Sequence, residues 1–498
     1  MATYKIPDSI EFAGDYDLKN IFLHNHFGEV IDIKNLVQEL NIYESIYKNA
    51  LTGSLVIIDA QNLIAKLEIQ GTERISFTLS TPGAMGDRSI INASEATGHP
   101  FHVYKITNRK QIAPGTLIYT LHFGSREFMR NLRTKVSQAY EGRLDRAVYQ
   151  IFLDENYLDS KKELTFEPCG NNDKVVIPNL RPFDAINMIA SKSLPEKSSG
   201  VGYYFYETTK GFHFRSWDNM ISVNGQLKRP TKQEFFYMPM NITDPTIEDK
   251  INHDYKSVES YRFINNFHDV AANTLGGTYG HRVITHNLFD KSYNIKDYHY
   301  HNDFVSSKHT ESARHTIEKY AIAESNVDEI PHNTKDNTSS VSDYSESRVS
   351  LQSTTQFLHN EETGAGYGLD VLQDGKLLGK RVAQQAQVIQ GTALKLTIKG
   401  QSYLECGDLI EFRLRSVDEK NTDGAEDPQY AGKYVITKIR HQINDKKYTM
   451  VLECAKDSVK TGFSTGYKKV ESNSNYPGIR NIYDSERESG SETNYGSS

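Results

Sequence analysis

Apolar and polar residues alternate with a period of two through much of the first 130 residues. Ile75, Phe77 and Leu79 interleave with Arg74, Ser76, Thr78 and Ser80, and Leu117, Tyr119, Leu121 and Phe123 follow the same rule. That is the pattern of strands with one buried and one wet face. Thr81-Pro82-Gly83 and Ala113-Pro114-Gly115 separate such runs; proline presets one backbone dihedral and glycine accepts a positive one, so both read as turns. Strands returning at short intervals predict a barrel or sandwich. From Glu127 the period lengthens. Leu144, Val148, Ile151 and Phe152, then Phe183, Ile186, Met188, Ile189 and Ala190 behind Arg181-Pro182, predict two helices. The run Tyr203 to Glu207, a turn through Gly211 and the run Phe212 to Ser216 predict a hairpin.

These periods divide the chain into a first β-barrel region over 1–127, open to completion by strands from 223–305, and an α/β insertion over 128–222. A polar His/Tyr/Asn-rich β segment follows over 223–305, then an exposed helix at 306–325 and a Ser-rich linker within 306–367. A helix with Leu378, Val382, Ala386 and Ile389 leads into a second β-region over 368–458, and 459–498 is a low-complexity tail. The expected fold is mainly β with an α+β insertion. An internal echo links the β-regions: Leu67–Gly71 precedes Ile75–Leu79 as Leu396–Gly400 precedes Ile410–Leu414. Alternation around a glycine turn is common, so the echo does not by itself establish a repeat.

Composition narrows the function. The 498 residues suffice for roughly three domains at about 150 residues each. Lys+Arg total 57 against 64 Asp+Glu, a net charge of -7, which gives no general grip on nucleic acid or anionic lipid. Cys169, Cys406 and Cys454 are too few and too scattered for a disulfide framework or a zinc knuckle, which points to a reducing compartment. No apolar run is long enough to cross a bilayer, and the start reads as lacking a secretion signal. Tyr 30 and Phe 22 against Trp 1 suit strands and partly wet interfaces.

Catalytic signatures are missing: no phosphate loop, no HExxH helix, no GxSxG elbow. Gly276-Gly277-Thr278-Tyr279-Gly280 lacks a phosphate-holding lysine and reads as a flexible turn. His299 and His301 would share one face of a strand, with His281, His286 or His309 as a further metal ligand, yet 17 histidines supply such spacings by accident. A polar surface strand is the ordinary reading. Carboxylate pairs such as Asp154 with Glu155, or Glu141 with Asp145 on a helix expected over 141–156, read as a solvated face. No catalytic residue, cofactor or metal is nominated.

The segment Ile42 to Ile64, continuing through Ile69, Gly71 and Glu73 to Ile75, resembles the N-terminal tube domain of central baseplate hub proteins from contractile-tailed bacteriophages. The hairpin Tyr203 to Ser216 resembles that family's aromatic block. Gly407-Asp408-Leu409-Ile410, then Ala431 to Ile436 and Tyr448 to Leu452, resemble its closing β-domain. The positions carrying the likeness are Glu44, Asn49, Gly53, Asp59, Gly71, Glu73, Gly211, Phe212, Phe214, Gly407, Asp408, Gly432 and Tyr434. The resemblance implies a non-enzymatic virion protein of the tail baseplate, assembled in the host bacterial cytoplasm. It implies a homotrimer with two tube-like β-barrel domains per subunit, making a pseudo-sixfold ring between a hexameric tail tube protein and a trimeric spike protein. Other baseplate proteins would surround it, viral DNA would only pass through the lumen, and no stable membrane association is implied. An acidic lumen would let DNA slide. The hub of a related contractile injection system, a tail-associated peptidoglycan hydrolase and a carbohydrate-binding adhesin stand as alternatives. The His-rich region 280–303, the stretch 326–347 and the tail match nothing in the family pattern.

Overall fold

Strand pairing, more than strand content, sets the architecture. The structure is a computed structural model describing residues 12–460 except 83–88, 98, 199, 224–226, 229, 238–246, 266–268, 288–290, 292, 304–306, 312–341, 343–344, 355–374, 417–425 and 445–446. It is mainly β, with several antiparallel sheets and a few helices. The first β-region holds β1 (Val37–Ser45), β2 (Thr52–Asp59), β3 (Arg74–Ser80), β4 (Phe101–Ala113) and β5 (Thr116–Gly124). They pair antiparallel in the order β1-β2-β5-β4-β3. The insertion follows as β6 (Val136–Arg143), α1 (Leu144–Leu153), β7 (Asn172–Leu180), α2 (Pro182–Lys192) and the hairpin β8 (Tyr203–Thr208) and β9 (Gly211–Ser216). Its own core gathers Val148, Ile151 and Phe152 of α1, Ile186 and Ile189 of α2, and Phe205, Phe212 and Phe214 of the hairpin.

Downstream come β10 (Gln233–Phe236) and β11 (Val258–Asn265). A three-stranded sheet of β12 (Gly280–Asn287), β13 (Tyr293–His299) and β14 (Val349–Thr354) precedes α3 (Gly375–Gln390). The chain closes with β15 (Thr392–Lys399), β16 (Leu409–Arg413), β17 (Gly432–Asn444) and β18 (Tyr448–Lys456). Here the order is β11-β15-β18-β17-β16, again antiparallel throughout.

The two five-stranded modules share one topology and two matched irregularities, while β4 carries two further register shifts (Thr107/Lys110 and Gln111/Ala113) and β11 one (Phe263/Asn265) without counterparts. The register of β1 on β2 shifts between Val37 and Glu39, and that of β11 on β15 between Val258 and Ser260. The register of β4 on β5 shifts between Val103 and Lys105, and that of β17 on β18 between Ile436 and Lys438. A bulge re-aims the strand that carries it and is a built feature, so the matched bulges align the modules over the stretches beside them, as far as Phe263 and Thr107. Ile42, Leu40 and Val37 of β1 stand where Phe263, Tyr261 and Val258 stand in β11. The Val103 N–H donates to the Glu73 carbonyl (2.8 Å) as the Ile436 N–H donates to that of Asp408 (2.9 Å), which makes Ile75 and Phe77 the counterparts of Ile410 and Phe412. One hydrophobic core runs beneath both modules, from Leu40, Leu55 and Phe123 to Leu396, Ile436 and Leu452.

Several expectations change. The second half of the sequence echo, Ile75–Leu79 with Ile410–Leu414, is in register. The first half is not: Leu67–Gly71 belongs to a turn after the one-turn helix Leu63–Lys66, while Leu396 is the counterpart of Leu55. Strands from 223–305 serve the second β-region, β10 lying parallel on β16 and β11 antiparallel on β15, while the free edge of β1 is taken by β17. Glu141 is in strand β6, paired with Lys174 at 3.5 Å, and the helix starts only at Leu144, because Glu141, Gly142 and Arg143 are held in the ladder with β7. Residues 307–311 are not helical, and the rest of the helix expected at 306–325 lies outside the described residues. Within 326–347, Ser342 and Ser345 are buried rather than solvated.

Candidate functional site

The joint between the modules is where the distinctive residues converge. β17 is long enough to serve two partners along one edge: Gly432–Val435 region pairs with β16, and Lys438–Asn444 pairs with β1. On the wet face Arg440 donates to Asn41 Oδ1 and Glu39 Oε1, both at 2.9 Å, and Gln442 donates to Glu39 at 3.1 Å. On the core side Glu44 is buried, accepting from the Thr209 N–H at 2.9 Å and the Cys406 N–H at 3.0 Å. His441 Nε2 stands 3.4 Å from Glu44, and its Nδ1 lies 2.7 Å from the Tyr448 hydroxyl. One carboxylate thus ties β1, the β8–β9 turn and the turn before β16.

Charged groups pack around this tie. Thr208 Oγ1 donates to Glu405 at 2.9 Å and His213 Nε2 lies 3.3 Å from it. Burial pushes the Glu405 carboxyl up, but His213, Arg215 and Lys232 outweigh it and hold it below the usual carboxylate range. Arg215 donates to the Tyr206 hydroxyl at 2.8 Å, and Lys232 pairs with Asp408 at 3.3 Å. Burial lowers Lys210 to about 8; its ammonium donates to the Ile90 carbonyl at 3.1 Å.

Positions singled out in the sequence have structural jobs here. Asn49 donates to Asn187 Oδ1 (3.0 Å) and the Phe205 carbonyl (2.7 Å), fastening the insertion to the first module. Asp59 accepts from the Gln61 and Leu63 N–H groups at 2.8 and 2.7 Å, capping the one-turn helix. Glu73 accepts from the Gln70 and Gly71 N–H groups, and Asp408 accepts from the Glu405 N–H at 3.1 Å, so each module enters its third strand through an acidic turn. Gly71, Gly211, Gly407 and Gly432 have positive φ; at Gly407 a Cβ would also collide with Arg215 and Tyr206. Phe212 and Phe214 are buried in the insertion core, and Tyr434 is buried with its hydroxyl on the Tyr430 carbonyl at 2.7 Å. Sequence reasoning missed Glu39, His213, Arg215, Glu405, Arg440 and His441. Their partners lie far away along the chain, and single-sequence periodicity carries no signal for such pairs.

The chemistry-bearing candidates come to less. His299 ends β13 and His301 lies in the one-turn helix Tyr300–Asp303, so they do not share a strand face; both ring Nδ1 atoms contact Ser342. Among the described residues no group of three metal-ligating side chains forms. Gly277 is the left-handed cap of the helix Val270–Gly276. Cys169, Cys406 and Cys454 are buried free thiols pushed up by burial. His24 lies 2.7 Å from Ser76 Oγ, but Glu95 is 4.0 Å from the imidazole and engaged by Arg74, while Ser76 is buried within β3. A cavity of about 130 Å³ beneath the β8–β9 turn is lined by Lys162 and Lys210; Lys162 is already paired with Glu127 and Glu207.

A buried carboxyl supplies a pH prediction. Burial raises Asp218 to about 6; Gln384 of α3 donates to its Oδ1 at 3.1 Å, and among the described residues its Oδ2 has no hydrogen-bond partner. The folded protein therefore holds this proton more tightly than the unfolded chain, so stability falls as pH rises from about 4 to about 6 and stays lower above, by about 2–3 kcal/mol. Asp218→Asn is expected to melt higher than the parent at pH 8 and to match it near pH 4, as thermal scans at both values would show.

No protein-family model matches the chain, and neither does any curated protein. Its fold is similar to that of a tail protein from Neisseria meningitidis, at 10% identity and TM-score 0.46 over 89% of this chain and 97% of that one. It is also similar to a 43 kDa prophage tail protein from Shewanella oneidensis, at 10% identity and TM-score 0.46 over 88% and 98%. A component of the type VI secretion system of E. coli follows at 7% identity and TM-score 0.39, over 86% and 75%.

Proposed function

We propose that this chain is a structural, non-enzymatic protein of a contractile bacteriophage tail: the central baseplate hub, a homotrimer whose six modules seat a hexameric tube on a trimeric spike around a channel for DNA. The observation that carries this reading is the duplication. Two modules with the same strand order and two matched bulges are joined edge to edge in one polypeptide, so three copies would present six units of one topology. The residues carrying the family resemblance support it, because Glu44 and Asn49 tie the first module to the second and to the insertion. The hub of a related contractile injection machine would use the same ring; the genes flanking this one decide between them.

The mass of the purified full-length protein tests the reading. A species of three times 56.6 kDa is expected by native mass spectrometry or sedimentation. A protein that stays a single chain at micromolar concentration, or one that clears peptidoglycan with turnover, overturns it.

A further inference from the structure

One lysine is buried against two carboxyl groups, and the structural role proposed above uses none of the three. Lys162 lies in the segment leading from α1 to Leu164, Glu127 in the helix Arg126–Arg133 and Glu207 near the end of β8. Lys162 Nζ stands 2.5 Å from Glu207 Oε1 and 3.1 Å from Glu127 Oε2, with the glutamate side chains 0% and 1% exposed and the lysine 13%. The Phe212 ring covers the amine, its centroid 5.9 Å from Nζ. Each remaining oxygen is fixed from outside the trio. The Leu51 N–H donates to Glu207 Oε2 at 2.8 Å, and the Ser160 hydroxyl donates to Glu127 Oε1 at 2.7 Å.

One ammonium between two ionised carboxylates would leave a net negative charge, and burial disfavours that. Burial pushes the Glu207 carboxyl up, so it holds its proton past the ordinary range. At Glu127 burial acts the same way, but Lys162 and Ser160 outweigh it and hold this carboxyl down. Burial opposes the charge on Lys162, which Glu207 and Glu127 sustain. The trio is then neutral overall. A proton passed from Nζ to Glu127 leaves it neutral and frees the amine, which faces a protonated carboxyl whose other oxygen already accepts a backbone N–H. That is where the oxyanion of an acyl transfer needs its donor.

We propose that Lys162 and Glu207 condense to an amide inside the folded chain, with Glu127 as the acid and base. The Nζ lone pair attacks Glu207 Cδ, forming the C–N bond and moving the C=O electron pair onto Oε2, where the Leu51 N–H stabilises it. Glu127 delivers its newly gained proton to Oε1 and takes another from the nitrogen. The electron pair returns from Oε2, the C–O bond breaks, and Oε1 leaves as water. Protonated Lys162, ionised Glu127 and protonated Glu207 thus become a neutral amide, one water and protonated Glu127. Charge is zero on both sides, nothing is oxidised, and each chain reacts once.

The fold supplies what such a condensation needs. Reactants held in place act as if at very high concentration, an effect reaching about 10⁵–10⁸ M for well-oriented groups. Burial keeps bulk water from reversing the step, and the amide replaces buried charges by neutral groups. The released water has a way out, because the cavity of about 130 Å³ beneath the β8–β9 turn is lined by Lys162. The product clamps β8 to the segment that follows α1. Unlike a disulfide, it forms without an oxidising compartment.

The intact mass of the full-length protein, purified folded and then denatured for mass spectrometry, tests this. The parent should be lighter than its sequence by one water, and a protease digest should contain a branched peptide joining Lys162 to Glu207. Lys162→Arg keeps the charge but supplies no nucleophile, and should carry the full sequence mass. Glu127→Gln keeps both reactants and loses the acid and base; freshly purified and with the circular dichroism of the parent, it should also carry the full mass. A folded parent still at full sequence mass after prolonged incubation at neutral pH overturns the proposal whether or not the variants fold, and leaves the trio an ordinary ion cluster. A branched peptide joining other residues overturns the assignment. Complete condensation of Glu127→Gln overturns the part given to Glu127.

Discussion

Gly53→Leu is expected to destabilise the first module severely, and Phe123→Cys in the same protein is expected to restore part of the loss. Gly53 and Phe123 face each other across β2 and β5. A Cβ at Gly53 would run into the Phe123 ring and lie 2.5 Å from the Asn41 carbonyl oxygen. Overpacking of this kind costs roughly 1–3 kcal/mol, and more where backbone must move. Removing the ring alone leaves a cavity costing about 3–5 kcal/mol. At the equivalent place in module two, Leu394 faces Cys454: the large residue and the small one have changed strands. Installing that pair in module one should therefore be less damaging than the sum of its parts, with a coupling of about 1–3 kcal/mol. Urea unfolding of the parent, both single variants and the double variant measures it. Strictly additive losses would mean that the two positions are not equivalent.

Glu44→Ala should have the second largest effect. It removes the acceptor for two buried N–H groups, those of Thr209 and Cys406, and leaves His441 facing an empty site. Leaving two buried N–H donors without an acceptor costs about 1–3 kcal/mol for each. Because Glu44 connects β1 to module two and to the hairpin, the loss should fall on the joint, and denaturant unfolding should change from one transition to two. Glu44→Gln keeps one acceptor oxygen and should lie between. A loss below about 1 kcal/mol with a single transition would show that the wet-face contacts of Arg440 and the shared core carry the joint alone.

Local structure was legible from period and turn chemistry. Strands at Ile75–Leu79 and Leu117–Phe123, helices at Leu144 and Phe183 and the hairpin at Tyr203–Ser216 follow from residues close in sequence, where spacing reports which face is buried. The half of the internal echo that survives, Ile75 with Ile410, sits on such a strand. Pairing across the chain was not legible: β11 on β15 and β17 on β1 join strands over 100 and almost 400 residues apart, and alternation fixes a face but not a neighbour. The joint was hidden for the same reason. Glu44 was visible as a family position, whereas His441, Glu405 and Arg215 reveal their purpose only when three distant segments meet. The shared strand face expected for His299 and His301 is absent because the strand stops between them.

The fused pair of modules has a consequence for symmetry. A gene encoding one module could only build a rim of identical units, and every surface feature would recur at each 60° step. Here the α/β insertion follows module one and the β12–β14 sheet lies within module two, so in the proposed trimer any feature specific to one module would recur at every second position. A single gene product would then offer an even sixfold wall on one side and alternating ornaments on the other, with no additional subunit needed to break the pattern.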